Sequence, residues 1–279
     1  MNGSLMPTAK PDHWSQHAQQ WSLIGPPLRP SGQDISLLEQ AVTEWSASNG
    51  ITAPRALLCG VTPEIARMRW PAGTRLTAVD RSQPMIAGVW PAGEAPGTAV
   101  CGNWFALPLS DRSQDLLIGD GCHTLLVGRD RYIAFARELR RVAAPGSLLA
   151  IRYFLRPERS ETAGHVIDDL RKGRIGNFHA FKWRLAMALH GTLEEGVRLG
   201  DIWEVWNIEV PDPDALAAQL GWSPAVVHTI ENYRDVDTRY SFSTMAEARA
   251  LIGDFRIVAV QEHGYELGER CPTLIMQPT

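Results

Sequence analysis

The chain has 279 residues, of which 44% are hydrophobic and 21% charged, and its formal net charge is −4. This composition predicts a globular protein and excludes a disordered one, and the slight acidic excess argues against a nucleic-acid binder with a general basic field. No apolar run approaches the ~18 residues that span a bilayer and the first residues lack a secretion signal, so we expect a cytoplasmic protein without a membrane partner.

The first part of the chain, residues 1–33, is rich in Pro, Gly, Gln and Trp and predicts an irregular arm. Asp34 is a candidate N-cap for a helix that continues to about Ser48. Short apolar runs then alternate with helical patterns, at residues 56–59, 76–79, 98–101, 116–118 and 148–151. Because these runs lack polar alternation, they predict a parallel sheet with helices on both faces and all carboxyl ends at one edge.

Residues 155–243 interrupt this alternation with helical patterns at 160–171, 177–191 and 212–220. A helical pattern near 244–252 and two strand patterns at 255–260 and 273–276 follow, at a spacing typical of a hairpin at a sheet edge. The sequence therefore predicts one α/β domain with a helical insertion of roughly ninety residues over its functional edge.

The loops at the predicted carboxyl edge carry candidate ligand-binding residues. Gly60 follows the first strand, and Thr62 and Pro63 then suit a helix N-terminus whose free N–H groups can receive a carboxylate or phosphate. Asp80 ends the second strand, where a carboxylate can accept hydrogen bonds from both hydroxyls of a ribose. An ordinary strand-to-helix turn and an N-cap are the structural alternatives.

Two further loops extend this pattern. Asn103 offers a donor and an acceptor to an adenine edge, and Trp104 offers a flat face or an indole N–H. Asp120 lies beside Gly121, and a glycine there allows a ligand to approach the edge closely. A turn with a core aromatic residue is the alternative interpretation of Asn103 and Trp104.

Together these features resemble the class I S-adenosylmethionine-dependent methyltransferases. The resemblance is carried by residues 56–64, 77–82, 103–109, 114–118 and 140–146 and by the final strand pair. It implies a Rossmann-like, mostly parallel seven-stranded sheet with helices on both faces and an antiparallel C-terminal hairpin strand. It also implies three units: an N-terminal arm and helix at 1–49, a cofactor-binding domain at 50–155 and 244–279, and a helical cap at 156–243.

The resemblance assigns S-adenosyl-L-methionine as the cofactor and places it against all four loops. The implied contacts are Gly60 and Thr62 at the methionine part, Asp80 and Arg81 at the ribose, Met85, Asn103 and Trp104 at the adenine, and Asp120 and Gly121 near the methionine amino group or the sulfonium. The usual loop has three alternate glycines, whereas this chain keeps Gly60 and has Thr62 and Glu64 at the other two positions.

The arm is a candidate cover for the cofactor. Trp14, His17 and Trp21 lie at helical spacing, and Arg29 follows in a proline-rich segment. We hypothesise that Arg29 meets the cofactor carboxylate and that an indole, Trp21 included, shields the sulfonium, where cation–π attraction reaches about 2 kcal/mol. The alternative is that the tryptophans only attach the arm to the domain.

Methyl transfer needs alignment and exclusion of water, and a general base only when the acceptor is a hydroxyl or a protonated amine. His123 and Tyr153, just past the fourth and fifth strands, are the catalytic candidates, with His179 a third and a structural role the alternative for each. No Asn/Asp-Pro-Pro-Tyr follows the fourth strand and no magnesium-binding Asp-Asn pair is seen. Amino methylases of adenine or glutamine and metal-assisted transfer are therefore disfavoured.

The predicted function is methyl transfer from S-adenosylmethionine to a small molecule beneath the cap. The reduced glycine loop keeps a second hypothesis open, a non-catalytic nucleoside-binding regulatory protein. A nicotinamide-dependent oxidoreductase is a weaker third, because no GxGxxG follows the first strand. The sequence leaves the identity of the acceptor and the existence of a homodimer open.

Overall fold

The computed structural model describes residues 13–279 and contains a seven-stranded sheet with the strand order β3-β2-β1-β4-β5-β9-β8. Neighbouring strands among β1 to β5 are parallel, while β9 runs antiparallel to both β5 and β8. The predicted mostly parallel seven-stranded sheet with an antiparallel C-terminal hairpin is confirmed. The strands are β1 (Arg55–Cys59), β2 (Arg75–Asp80), β3 (Gly97–Cys101), β4 (Gln114–Asp120), β5 (Ala143–Arg152), β6 (Val197–Arg198), β7 (Arg239–Tyr240), β8 (Phe255–Gln261) and β9 (Thr273–Pro278).

Helices surround the sheet and build the insertion. The α-helices are α1 (His13–Gln19), α2 (Gly32–Asn49), α3 (Pro63–Ala66), α4 (Gln83–Val89), α5 (Arg129–Val142), α6 (Ala163–Arg171), α7 (Phe178–Leu189), α8 (Leu199–Glu209), α9 (Pro213–Leu220), α10 (Pro224–Val227) and α11 (Met245–Leu251). The 3₁₀ helices are η1 (Trp21–Leu23), η2 (Cys122–Leu125), η3 (His228–Tyr233) and η4 (Gly268–Arg270).

The central strands are apolar throughout because both of their faces are covered. Alternate residues of β1 enter different cores, so that Leu57 packs in the cluster with Phe135 of α5 while Leu58 packs in the cluster with Val42 of α2. All four of these side chains are completely buried. Continuous apolar strands and helices with one apolar face therefore specify this layered arrangement together.

The start of α2 differs from the prediction by a few residues. Ser31 is the N-cap, and Asp34 lies at the third helical position, where its side chain accepts a hydrogen bond from the Ser31 backbone N–H (2.6 Å). The Ser31 hydroxyl in turn accepts one from the Asp34 N–H (3.2 Å), which completes a capping box. Asp34 is thus the partner of the cap and not the cap itself.

The insertion contains the predicted helices α6, α7 and α9, together with α8 and the short ribbon of β6 and β7, which the sequence did not predict. These elements enclose a core of their own around Phe181, Trp183 and Trp206. Cys271 and Leu267, from the connection between β8 and β9, join the same core and connect it to the sheet.

The described part of the N-terminal arm begins with α1 and η1, which corrects the prediction of an irregular segment there, whereas residues 24–31 are irregular as predicted. Helix α1 packs on α4 beside the sheet and on η3 of the insertion. A Cβ atom added to Gly88 of α4 would lie 3.2 Å from the Cβ of Ala18, and the imidazole of His13 is 3.2 Å (Nδ1) from the carbonyl oxygen of Asn232 in η3. The arm therefore connects the sheet to the insertion.

Helices of membrane-spanning length and hydropathy do not occur within residues 13–279.

Candidate functional site

A cavity of about 130 Å³ lies where β1, β2 and β4 end, at the carboxyl edge of the sheet. Most of the residues predicted to bind the cofactor line it, namely Trp21, Gly60, Thr62, Asp80, Met85, Trp104, Asp120 and Gly121. A second cavity of about 60 Å³ shares Asp80 and Trp104 with the first and is also lined by two further candidates, Arg81 and Asn103. The topology thus brings together side chains that are up to a hundred residues apart.

The loop after β1 requires a glycine for conformational reasons. Gly60 has a φ of +100°, in a region that L residues rarely adopt, and its N–H donates to the carbonyl oxygen of Val79 (2.9 Å). A Cβ at this position would lie 3.9 Å from Asp80 Oδ2 and 4.0 Å from the Trp104 ring. Gly60 thereby leaves space in the cavity between the carboxylate and the indole.

Asp80 is prepared to accept further hydrogen bonds. Its Oδ1 accepts a hydrogen bond from the backbone N–H of Ser82 (2.7 Å), and no salt bridge joins the carboxylate to a described residue. Burial raises the pKa of Asp80 above its ordinary value, while the Ser82 N–H and the charge of Arg81 oppose that rise. A diol that donates two hydrogen bonds would compensate this desolvation, as the ribose of the predicted cofactor does.

The indole of Trp104 lines the cavity, but its N–H is already used within the protein. Its Nε1–H donates to the carbonyl oxygen of Val79 (2.6 Å), and its ring packs against Phe135 at a centroid distance of 5.7 Å. Asn103 is exposed, and its Oδ1 accepts a hydrogen bond from the N–H of Phe105 (3.0 Å). Of the two options predicted for Trp104, only stacking on its flat face is available.

Asp120 forms a buried ion pair. Its Oδ1 accepts a hydrogen bond from Arg152 Nε (2.7 Å), and both side chains are at most 6% exposed. Burial raises the pKa of Asp120 and the Arg152 charge opposes that rise. Arg152 also donates to the carbonyl oxygen of Pro27 (2.8 Å) and to the Tyr265 hydroxyl (3.0 Å), so this ion pair holds the arm against the sheet.

Gly121 lines the cavity, and its lack of a side chain also makes room for an aromatic ring of the protein. Its φ is +59°, and a Cβ there would lie 2.3 Å from the ring of Phe154, which lines the same cavity. The close approach is therefore made by an aromatic side chain of the protein. Both residues contribute to the cavity wall at the boundary between the sheet and the insertion.

Arg29 lies away from both cavities. Its Nε donates to Glu64 Oε1 (2.8 Å), its Nη2 also contacts that carboxylate, and its Nη1 donates to the carbonyl oxygens of Trp21 (2.7 Å) and Ile24 (3.1 Å). The guanidinium lies 5.0 Å from the centre of the Trp21 ring. Every nitrogen of Arg29 is thus used within the protein, in contrast to the expected contact with a cofactor carboxylate, whereas Trp21 lines the cavity as expected.

His123 and Tyr153, the predicted catalytic candidates, form a pair inside the core. His123 Nε2 is 2.9 Å from the Tyr153 hydroxyl, the rings stack at 4.1 Å, and both side chains pack among residues such as Leu139 of α5. Burial lowers the pKa of His123 to about 3 and raises that of Tyr153 well above its ordinary value. Neither side chain lines the two cavities at the carboxyl edge of the sheet.

His179 is likewise engaged elsewhere, with Nε2 3.0 Å from the carbonyl oxygen of Leu23 in the arm. The imidazole that does line the main cavity is that of His17, which lies edge-on between Trp14 (5.9 Å) and Trp21 (5.6 Å). The helical spacing of these three residues in the sequence was the available signal for this arrangement.

The side of the cavity nearest the insertion consists of residues that the sequence analysis did not select. They are Leu28, Thr124, Leu125, Phe154, Trp183, Tyr233 and Tyr240. No local motif marks these side chains, because they converge only through the packing of the insertion on the sheet.

The cavity residues fit an adenosyl ligand in two respects: the space that Gly60 leaves beside Asp80, and the buried indole N–H of Trp21, which has no hydrogen-bond partner among residues 13–279. In the same range, no group of three or more His, Cys, Asp or Glu side chains is arranged to hold a metal ion.

Comparison with known proteins agrees with this geometry. Residues 57–151 match a protein-family model described as a methyltransferase domain. The CcbJ methyltransferase from Streptomyces caelestis is similar in structure, with a TM-score of 0.55 and 16% identity over 96% of this chain and 98% of that one. No protein in the curated set matches by sequence.

Two other solved structures share the fold. A Rhodobacter sphaeroides protein provisionally described as a Zn-dependent alcohol dehydrogenase has a TM-score of 0.61 and 10% identity, over 96% of this chain and 97% of that one. A structure concerned with the conversion of a disulfide bond into a thioacetal group during echinomycin biosynthesis has a TM-score of 0.50 and 15% identity, over 95% and 90%. At these identities both similarities concern the fold alone.

The sheet order, the antiparallel final strand and the site at the carboxyl edge define a Rossmann-like α/β protein of the methyltransferase type. Residues 57–151 of this fold match a methyltransferase domain, in agreement with the resemblance of the sequence to class I S-adenosylmethionine-dependent methyltransferases.

Proposed function

We propose that the protein transfers the methyl group of S-adenosylmethionine to a small molecule that binds between the sheet edge and the insertion. The observation that supports this most directly is one continuous cavity with two different walls. Gly60 and Asp80 lie on the wall formed by the sheet, and Trp183 and Tyr240 lie on the wall formed by the insertion. We propose further that the protein acts in the cytoplasm and without a nucleic-acid or membrane partner.

In this proposal the first wall binds the cofactor, which supplies a methyl group already activated on a sulfonium. Asp80 accepts hydrogen bonds from the ribose hydroxyls, Trp104 stacks on the adenine, and Trp21 donates its free N–H to the methionine part. Asp120 acts indirectly, because its carboxylate is paired with Arg152.

The surroundings of the sulfonium are suited to a cation. The aromatic rings of Trp14 and Trp21 line the cavity together with His17, whose pKa burial lowers to about 3. His17 is therefore neutral at physiological pH and adds no positive charge. Attraction between a desolvated cation and an indole contributes about 2 kcal/mol.

The chain accelerates the reaction by alignment. The pKa values of His17 and His123 are lowered to about 3, and that of Tyr153 is raised well above its ordinary value. None of these groups is poised near neutrality as a general base. An acceptor that arrives in its nucleophilic form needs only orientation and exclusion of water, which contribute up to ~7–11 kcal/mol.

The arm acts as a cover that moves when ligands enter. The cavity of about 130 Å³ is smaller than the ~300–1,000 Å³ of ordinary ligand pockets, and Trp14, His17 and Trp21 form part of its wall. Since α1 connects α4 to η3, its displacement widens the cavity and its return excludes water. Such an enclosed site favours a small acceptor over a macromolecule.

Isothermal titration calorimetry with S-adenosylhomocysteine tests the cofactor site. We expect Asp80→Asn to weaken binding at least tenfold, because two charge-assisted hydrogen bonds are weakened, each worth about 1.5–3 kcal/mol. Asp111→Asn is the matched control, since this exposed aspartate pairs with Arg141 outside both cavities. Absence of S-adenosylhomocysteine binding by the wild type, or equal weakening in both variants, would refute the assignment.

The alternative proposal is a regulatory protein that binds the nucleoside without catalysis, and the reduced glycine loop favours it. Thr62 still lines the cavity, whereas Glu64 is bound to Arg29 of the arm. A methyl-transfer assay that follows S-adenosylhomocysteine release over a panel of phenols, amines and thiols distinguishes the two: binding without turnover on every acceptor supports the regulatory protein.

A further inference from the structure

Two buried polar atoms on the insertion side of the cavity have no hydrogen-bond partner among residues 13–279: the hydroxyl of Thr124 and the indole N–H of Trp183. Thr124 is 3% exposed and Trp183 is 4% exposed. Buried polar groups in native proteins are almost always satisfied, since an unpaired one keeps its full desolvation penalty. Two such groups in one cavity wall are therefore available to bind a ligand.

The position of the Thr124 hydroxyl is set by its backbone. Thr124 lies in η2 directly after β4, and its N–H donates to the carbonyl oxygen of Gly121 (3.0 Å). Its carbonyl oxygen accepts the N–H of Ser241 from the insertion (2.8 Å). With both backbone groups paired, the side-chain hydroxyl is the group of Thr124 that is left for a ligand.

The Trp183 indole is held equally firmly. Its ring packs edge-on against Phe154 (5.2 Å), Tyr240 (5.5 Å) and Phe242 (5.4 Å), so it has little freedom to rotate toward another acceptor. Phe154 and Tyr240 also line the cavity. The N–H is therefore a fixed donor in an aromatic wall.

We propose that Thr124 and Trp183 form the acceptor subsite and orient a ring-bearing, uncharged molecule by binding an oxygen atom other than the atom that receives the methyl group. The inference rests on the proposed methyl transfer and names its substrate class. The other residues on this side, Leu28, Leu125 and Tyr233 among them, are apolar or aromatic, and within residues 13–279 no side chain with a formal charge belongs to this wall. Such a wall matches a flat ring with a hydroxyl or carbonyl oxygen and disfavours phosphates and polyamines.

The test uses 4-fluorophenol and fluorobenzene, a pair of probes that differ by one hydroxyl group. Fluorine-19 NMR titrations give both affinities, with and without S-adenosylhomocysteine. We expect wild type to prefer 4-fluorophenol at least fivefold, since the oxygen gains hydrogen bonds that fluorobenzene cannot make. Thr124→Val and Trp183→Phe should each reduce this preference by about fivefold, whereas Thr124→Ser should retain it.

Ser147 provides the matched control. Its hydroxyl is also buried and without a partner among the described residues, but it lies in β5 and lines neither cavity. Ser147→Ala should leave the preference for 4-fluorophenol unchanged. Thr124→Val should not lower the unfolding temperature of the free protein, because it removes an unpaired hydroxyl and keeps the volume; a purely structural role would lower it.

Equal affinity of wild type for the two probes overturns the proposal even if a variant fails to fold, and so does an equal loss of preference in Ser147→Ala. The titrations without S-adenosylhomocysteine separate this result from failure of the proposed function. A protein that prefers 4-fluorophenol through Thr124 and Trp183 but does not bind S-adenosylhomocysteine keeps the subsite and loses the methyltransferase assignment. A protein that binds S-adenosylhomocysteine but shows no preference for 4-fluorophenol keeps the methyltransferase assignment and loses the subsite.

Discussion

Lys182 is a buried cation that has no counter-ion in the described part of the chain, and replacing it should stabilise the protein. Its side chain on α7 is 1% exposed; Nζ donates to the Thr229 hydroxyl (3.0 Å) and lies over the rings of Phe178 (5.4 Å) and Tyr233 (5.5 Å). No carboxylate among residues 13–279 forms a salt bridge with it. Burial lowers the pKa of Lys182 from 10.5 to about 7.

The direction in which stability changes with pH follows from the number of protons that Lys182 binds in the folded and in the unfolded chain. Between pH 7 and pH 10.5 the unfolded chain binds more protons at Lys182 than the folded chain, so the free energy of unfolding rises with pH across this window. At pH 7 the penalty for the buried ammonium is about 4 kcal/mol, and about 2 kcal/mol of it is removed by pH 9. Below pH 7 the full penalty is present.

We therefore predict that Lys182→Met raises the free energy of unfolding by about 3 kcal/mol at pH 7, after subtraction of ~1 kcal/mol for the lost hydrogen bond to Thr229. At pH 9 the gain should shrink to about 1 kcal/mol. Urea unfolding of wild type and variant at both pH values measures this difference, and other groups that titrate in this range cancel in the comparison.

The exposed Lys172, paired with Asp168 on α6, is the control: Lys172→Met should show the same small effect at both pH values. A stability gain from Lys182→Met that does not change between pH 7 and pH 9 would refute the reasoning, because it would show that Lys182 keeps an ordinary pKa in the folded protein.

The remaining predictions concern the arm and the cavity wall. Arg29→Gln and Glu64→Gln should each weaken S-adenosylhomocysteine binding several-fold in calorimetry. Because both substitutions break the same ion pair, the double variant should bind no more weakly than either single variant. Additive losses of affinity would indicate that the two residues make separate contacts. Gly121→Ala should lower the unfolding temperature by several degrees more than Gly146→Ala, as both have positive φ but only Gly121 faces the Phe154 ring; equal shifts would leave backbone strain as the only cause.

The sheet could be predicted from the sequence because its strands carry two independent signals. The runs at 56–59 and 116–118 are apolar on both faces, as strands at the centre of a parallel sheet must be, and helical patterns separate them. Helix α8 lacked a comparable signal, because Ile208 is 74% exposed while Trp206 in the same helix is buried. Because exposed and buried positions of α8 are both apolar, its sequence does not show the one-sided apolar pattern that predicts a helix.

The catalytic candidates show what a position along the chain cannot supply. His123 and Tyr153 do follow β4 and β5, as predicted, but the direction of a side chain past a strand end depends on the local turn. Gly121, with φ +59°, directly precedes η2. The residues of η2 then turn so that Thr124 faces the cavity while His123 faces α5. The sequence therefore predicts which residues lie at the carboxyl edge of the sheet, but not which of their side chains face the cavity and which face α5.

One of the two departures of the glycine loop, Glu64, has an explanation in the arm. A loop with a glycine at position 64 would present only backbone to its neighbours, whereas Glu64 binds Arg29 and thereby fixes the segment that carries Trp21 and Leu28 into the cavity wall. Arg152 strengthens the same attachment through the carbonyl oxygen of Pro27. The side chain that replaces a loop glycine thus holds the arm in the cavity wall, so the reduced glycine motif is compatible with the proposed cofactor site.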